Sequence, residues 1–245
     1  MTSKQLCMTR AMGLALTLAV GSLAGATVHP PDIDPANFVR YVTNPFFPLK
    51  PGTKFFYQGQ KDGVPTSNVT EVTCETKMIL GVTTTIVHDQ AFDENGTLAE
   101  DTFDWYAQDR DGNVWYFGED TKELDASGNV ISTEGSWEAG VNDADPGTIM
   151  LANPQVGDRY YQEFAPGVAE DQARVESLNA AACIAYPAPN SCFDHLLLTK
   201  ETTRLDPGVV ENKYYRAPVG FILGVNVKGG NERTELVSKT FNKCK

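Results

Sequence analysis

Three stretches of this chain repeat one pattern at a fixed interval: "FDENGTLAE", "QDRDGNVWY" and "LDASGNVIS", aligned on Asp93, Asp109 and Asp125, 16 residues apart. Each reads Asp, two residues, Gly, Thr or Asn, then Leu or Val. Acidic residues at alternate positions before a Gly suggest a calcium loop. An EF-hand, however, needs Gly sixth and a bidentate Glu twelfth, and here Gly is fourth. Asn-Gly, Asp-Gly and Ser-Gly between strand-like runs are hairpin chemistry instead, because the turn requires positive φ where Gly is tolerated. A unit of this length holds one strand and one turn. That is too short for a propeller blade of about 40 residues.

The repeat therefore predicts an all-β fold: an antiparallel up-and-down meander of ten to twelve strands, rolled into a barrel or curved half-barrel so that its edges are protected. Runs such as "TKFFYQGQ", "TTTIVHDQAF", "FDHLLLTKET" and "FILGVNV" are rich in β-branched and aromatic residues and end at Gly, Pro or Asn clusters. Helical periodicity is weak, and "GVAEDQARV" is expected to form one or two short helical turns. Residues 27–51 read as an irregular, proline-rich segment and 52–245 as a single β-rich domain. Residues 136–154 lack alternation and are expected to cross one mouth of the barrel as a long loop.

Residues 1–26 read as a secretory signal. Lys4 and Arg10 precede an apolar run that ends in Ala24-Gly25-Ala26. That run is shorter than the roughly 20 residues a membrane span needs, so the sequence predicts a secreted or periplasmic protein with no stable membrane insertion. The formal charge of −12 becomes −14 once Lys4 and Arg10 leave with the signal, which disfavours nucleic acid as a partner. Four cysteines remain, an even number without metal-site spacing, and this argues for disulfides. Cys183 and Cys192 bracket a Pro- and Asn-containing loop, leaving Cys74 to pair with Cys244.

No nucleophile motif, phosphate loop or H-E-x-x-H is present, and no cofactor is expected. In "TTTIVHDQAF", alternation places Thr84, Ile86, His88 and Gln90 on one face, with Val87 and Asp89 on the other. In "AEDTFDWYAQ", Glu100, Thr102, Asp104 and Tyr106 share a face. If the turn at Asp93 joins these strands, the two polar rows could meet, with His88 and Asp104 as candidate catalytic groups. The simpler arrangement turns that row to solvent, while Val87, Phe103 and Trp105 fill the core. Tyr57, His88, Asp104, Tyr106, Trp137 and Glu138 are the candidate ligand-binding residues, placed at the mouth beneath the 136–154 loop.

"GDRYYQEFAPGVAEDQARV", "KYYRAPVGFILGV" and "DWYAQDRDGNVWYFGE" together resemble a group of bacterial exported β-rich proteins of uncharacterised function, whose tails carry a Lys-Tyr-Tyr-Ala-Pro-Gly-Val-Gly type of run. This chain departs from that pattern at Arg216 and at Pro218-Val219-Gly220. The resemblance implies an envelope protein and carries no catalytic residue. Two functions stay open: an exported soluble β-barrel-like binding protein for an apolar or mixed small ligand, saccharide-like ligands included, and a secreted hydrolase or lyase acting on a polymer or lipid through His88 and a carboxylate.

Overall fold

A computed structural model describes residues 33–244, so the signal segment and His29 lie outside the described residues. The chain runs through β1 (Phe38–Val39), β2 (Thr53–Lys61), β3 (Val64–Ile79), β4 (Val82–Phe92), β5 (Leu98–Asp109), β6 (Val114–Leu124), β7 (Val130–Ser132), β8 (Trp137–Glu138), β9 (Gly147–Met150), β10 (Arg159–Tyr161), β11 (Asp171–Ile184), β12 (Ser191–Thr203), β13 (Val210–Arg216), β14 (Gly220–Lys228) and β15 (Glu232–Phe241). All fifteen belong to one antiparallel sheet with the path β10-β11-β12-β13-β14-β15-β2-β3-β4-β5-β6-β7. The fold is thus all-β, an up-and-down meander curved but not hydrogen-bonded into a closed barrel. Strand β15 pairs with β2, joining the last strand to an early one. The two ends of the curve approach at a single bridge, Asp145 to Phe164.

The repeated stretches are the turns β4–β5, β5–β6 and β6–β7. In each, the Asp amide donates to the carbonyl four residues on, and the Gly amide donates back to the Asp carbonyl. Asp93 Oδ1, Asp109 Oδ1 and Asp125 Oδ1 accept the amides of Thr97, Asn113 and Asn129 at 2.8–2.9 Å. The Asp carboxylates hold their own turns. Only the glycines, Gly96, Gly112 and Gly128, have positive φ in these loops. They are therefore three-residue loops closed by a left-handed Gly, not the two-residue form in which both central residues are left-handed.

Two expectations are corrected. "GVAEDQARV" contains no helix: it makes a tight turn bridged Ala165 to Ala169 and enters β11, where Ala173 and Val175 alternate inward and are buried. Among the described residues the helical element is a 3-10 turn, Pro35–Asn37, capped by Asp34. Residues 136–154 do not span a mouth either. They fold back along β6, where Trp137 pairs with Glu119 and Met150 with Val114. Gly118 makes this approach feasible, since its φ is +125° and a Cβ there would lie 2.2 Å from the Trp137 carbonyl oxygen.

Both expected disulfides are present, Cys74–Cys244 and Cys183–Cys192. The second joins residues directly opposite one another on β11 and β12. Bonds of this kind persist in oxidising compartments, so the location is extracytoplasmic. Among the described residues, no helix is long and apolar enough to cross a membrane.

Candidate functional site

The concave face of the sheet encloses a cavity of about 260 Å³, just under the roughly 300–1,000 Å³ usual for ligand pockets. Strands β2 to β5 supply one wall and β13 to β15 the other. Register decides which side chains reach it. Val87 lies opposite Asp104, and Asp89 opposite Thr102. Directly opposed residues share a face, so Val87, Asp89, Asp104 and Tyr106 all look inward.

His88 is opposite Phe103 and therefore on the convex side. Its Nε2 lies 2.7 Å from Asp101 Oδ1, and its ring stacks on Phe103 at 4.2 Å. The expected meeting of His88 with Asp104 does not occur, because the register couples the His88 row to the Asp101 row.

Aromatic rings form most of the apolar wall. Tyr57 packs on Phe221 at 5.5 Å, and Phe47 meets Tyr106 edge-on at 5.2 Å. Phe47 comes from the segment before β2, which closes one end of the cavity. Asn44 clasps that segment: its Nδ2 donates to the carbonyls of Gly112 (2.9 Å) and Leu151 (3.1 Å). Its amide, with that of Thr43, donates to Gln108 Oε1. Every polar atom of this buried side chain is used, as burial demands.

Asp89 and Asp104 line the same space, while Glu119, opposite Asp104 on β6, lines a neighbouring groove. Asn68 Nδ2 reaches Asp89 Oδ1 only at 3.5 Å, and burial raises the Asp89 pKa to about 6. Asp104 is held well above the ordinary carboxylate range, first by burial and then by the charge of Glu119. Glu119 rises to about 7, mainly by burial. Tyr116 links these two, with its Oη 2.5 Å from Asp104 Oδ1 and 3.1 Å from Glu119 Oε2. A phenol has one proton to donate, so the second contact needs a proton on one of the carboxyls. The raised values and the proton count agree.

Lys213 enters from the opposite wall. Its Nζ lies 2.8 Å from Glu201 Oε2 and 3.5 Å from Glu211 Oε2. Burial alone would lower its pKa, but these carboxylates outweigh it and hold the ammonium well above the ordinary lysine value. Its side chain keeps 31 % of its area accessible and lines the cavity.

Of the residues singled out in the sequence, Tyr57, Asp104 and Tyr106 line this cavity. Trp137 and Glu138 line a separate groove with Lys77 and Trp105. Lys77 ties that groove together, 2.7 Å from Glu138 Oε2 and 3.3 Å above the Trp105 ring. Trp137 Nε1 is buried with no hydrogen-bond partner. The two regions meet at Tyr116, stacked on Tyr106 at 4.6 Å and edge-on to Trp137 at 5.5 Å. Sequence reasoning missed Asp89, Lys213 and Phe221. The alternation of Lys213 and Tyr215 in "ENKYYR" was the signal that could have found the second wall. Among the described residues, no three His, Cys, Asp or Glu side chains are grouped to hold a metal ion.

No protein-family model matches this chain, and neither does any curated protein. Two crystal structures are similar in fold. One is a Bacteroides fragilis protein described as exported and of YmcC-like fold, with TM-score 0.45 and 13% identity over 80% of this chain and 99% of that one. The other is a Parabacteroides distasonis protein described as a lipoprotein, with TM-score 0.44 and 14% identity over the same shares.

Proposed function

We propose that the protein is an exported binding protein that holds a small ligand of mixed character inside the curved sheet. The observation that carries this reading is the cavity itself, an aromatic-walled space into which Asp89, Asp104 and Lys213 project. Ligand sites combine apolar walls, a few convergent polar groups and shifted pKa values, and all three features coincide here. The resemblance of the tail to exported envelope proteins accords with this reading. Its size suits a ligand with a single ring or short chain.

The alternative, a hydrolase or lyase, has one observation in its favour: the 2.7 Å contact of His88 with Asp101, the geometry of an oriented general base. That pair lies on the convex face, away from the cavity, and one face of the imidazole is covered by Phe103. Binding is the better supported role.

Ligand-observed NMR with a library of small amphipathic molecules tests the proposal. Hits should lose their saturation signal in Val219→Trp, which places an indole in the cavity. A library without hits, or hits unaffected by that substitution, would contradict it.

A further inference from the structure

We infer that the ligand is a small organic cation, an amine on an aromatic or aliphatic body, whose charged nitrogen sits against Asp89 within the aromatic wall. This rests on the cavity being the binding site and adds the charge of the ligand. Three observations carry it.

First, the charges around the cavity do not balance. Asp89 and Asp104 project from one side, while the cation on the other side is already engaged by Glu201 and Glu211. Two of the three Lys213 N–H donors are directed to those partners, and an anionic ligand on the third would still face Asp89. This disfavours a carboxylate or phosphate.

Second, the side-chain donors of Asp89, Asn68 and Thr70, are neutral, and they leave its pKa raised by burial. Its contact with Asn68 is 3.5 Å long, whereas a carboxylate with a good N–H donor sits at about 2.8–3.0 Å. Asp104 by contrast is held by Tyr116. Among the described residues Asp89 makes no ion pair, and its carboxylate lines the open space.

Third, aromatic rings line the same cavity. Tyr57 lies beside Phe55 and Phe221, and Tyr106 lines the same wall as Asp89. Aromatic rings around a carboxylate are how proteins hold ammonium groups, because the ring quadrupole attracts a desolvated cation. A neutral alcohol would gain the apolar contact without the charge.

The test compares three probes of nearly equal shape, phenethylamine, phenethyl alcohol and hydrocinnamate, by calorimetry between pH 5 and 8. Phenethylamine should bind at least tenfold tighter than the alcohol at pH 7.5, with hydrocinnamate weakest. Its affinity should rise with pH through about 6, the value to which burial holds Asp89, by up to tenfold per unit on the acid side. The charged groups coupled to Asp89 are Glu100 and His88, Asp104 and Glu119, of which His88 lies on the opposite face of its own strand. Tyr57 faces it from β2. Glu119 is held up to about 7 and Asp104 well above the ordinary carboxylate range, and ionisation of either would extend the rise in the same direction.

Asp89→Asn should bring the ratio of amine to alcohol affinity close to one. Equal binding of amine and alcohol in the wild type, or an amine preference that survives Asp89→Asn in a variant with unchanged circular dichroism, would overturn the inference while leaving the cavity as a binding site. Failure of all three probes, joined with a failed library screen, would overturn the binding role itself.

Discussion

At the scale of single residues, the turns and the buried carboxyls give the sharpest consequences. Gly112 has φ +97°, and a Cβ there would sit 3.3 Å from that of Ala152. Gly112→Val should therefore lower stability by more than about 1 kcal/mol in chemical denaturation, because a β-branched residue resists that conformation. Asp111→Asn should be nearly neutral, since Asp109 and not Asp111 makes the turn's side-chain bonds. A calcium-dependent rise in melting temperature that disappears in Asp111→Asn would reverse this account of the loop. Glu119 behaves differently. Its ionisation in a buried site next to Asp104 is unfavourable, so Glu119→Gln should stabilise the protein at pH 7.5 by about 1–3 kcal/mol, given about 1.4 kcal/mol per pKa unit. A loss of stability at that pH would show that the carboxylate is held by contacts other than those of Tyr116.

At the scale of strands, the turn pattern made the meander legible, while the pairing parity of β4 with β5 was not. Hydropathy alternation separates two faces only when one is apolar and the other polar. Here the concave face carries Asp89, Thr102 and Asp104, and the convex face carries His88, Gln90 and Asp101, so polarity cannot tell them apart. Strand β5 adds a second obstacle, because Trp105, Tyr106 and Ala107 are all buried in succession. One side is the cavity wall and the other is covered by chain that includes residues 137–144. The 136–154 segment looked like a loop because its pairs with β6 are two short pieces, each too brief to show a period. The disulfides were legible because four cysteines with one short bracketed loop leave few arrangements. Replacing both Cys74 and Cys244 by Ser opens a closed loop with a sequence separation of 170. It should lower the unfolding free energy by about 2–5 kcal/mol, measured against the intact protein in guanidinium. An unchanged midpoint would mean that β15 is held to β2 by the ladder alone.

At the scale of the whole molecule, a largely apolar interior carries carboxyls whose ionisation it opposes. The folded-state pKa values of Asp89 and Glu119, about 6 and about 7, lie above their unfolded values. The native protein thus holds protons that the unfolded chain releases. The associated stability is complete below pH about 4, and is lost as pH rises through 6 and then 7. Asp93 and Asp125, held below the ordinary carboxylate value by hydrogen bonds from Thr97 and Asn129, lose that stabilisation only on stronger acidification. The melting temperature should therefore peak near pH 5 and fall toward pH 8, and a plateau from pH 5 to 8 would contradict the interior electrostatics. The same unfavourable charge gives the cavity a use, because a bound cation relieves it. The central claim, that the cavity beneath the Asn44 clasp is occupied in life, is tested most directly by native mass spectrometry of the protein isolated from the cells that export it. The prediction is a non-covalent small-molecule adduct on the wild type that is missing from Val219→Trp. A wild type that arrives empty and takes up nothing from an extract of the same cells would contradict it.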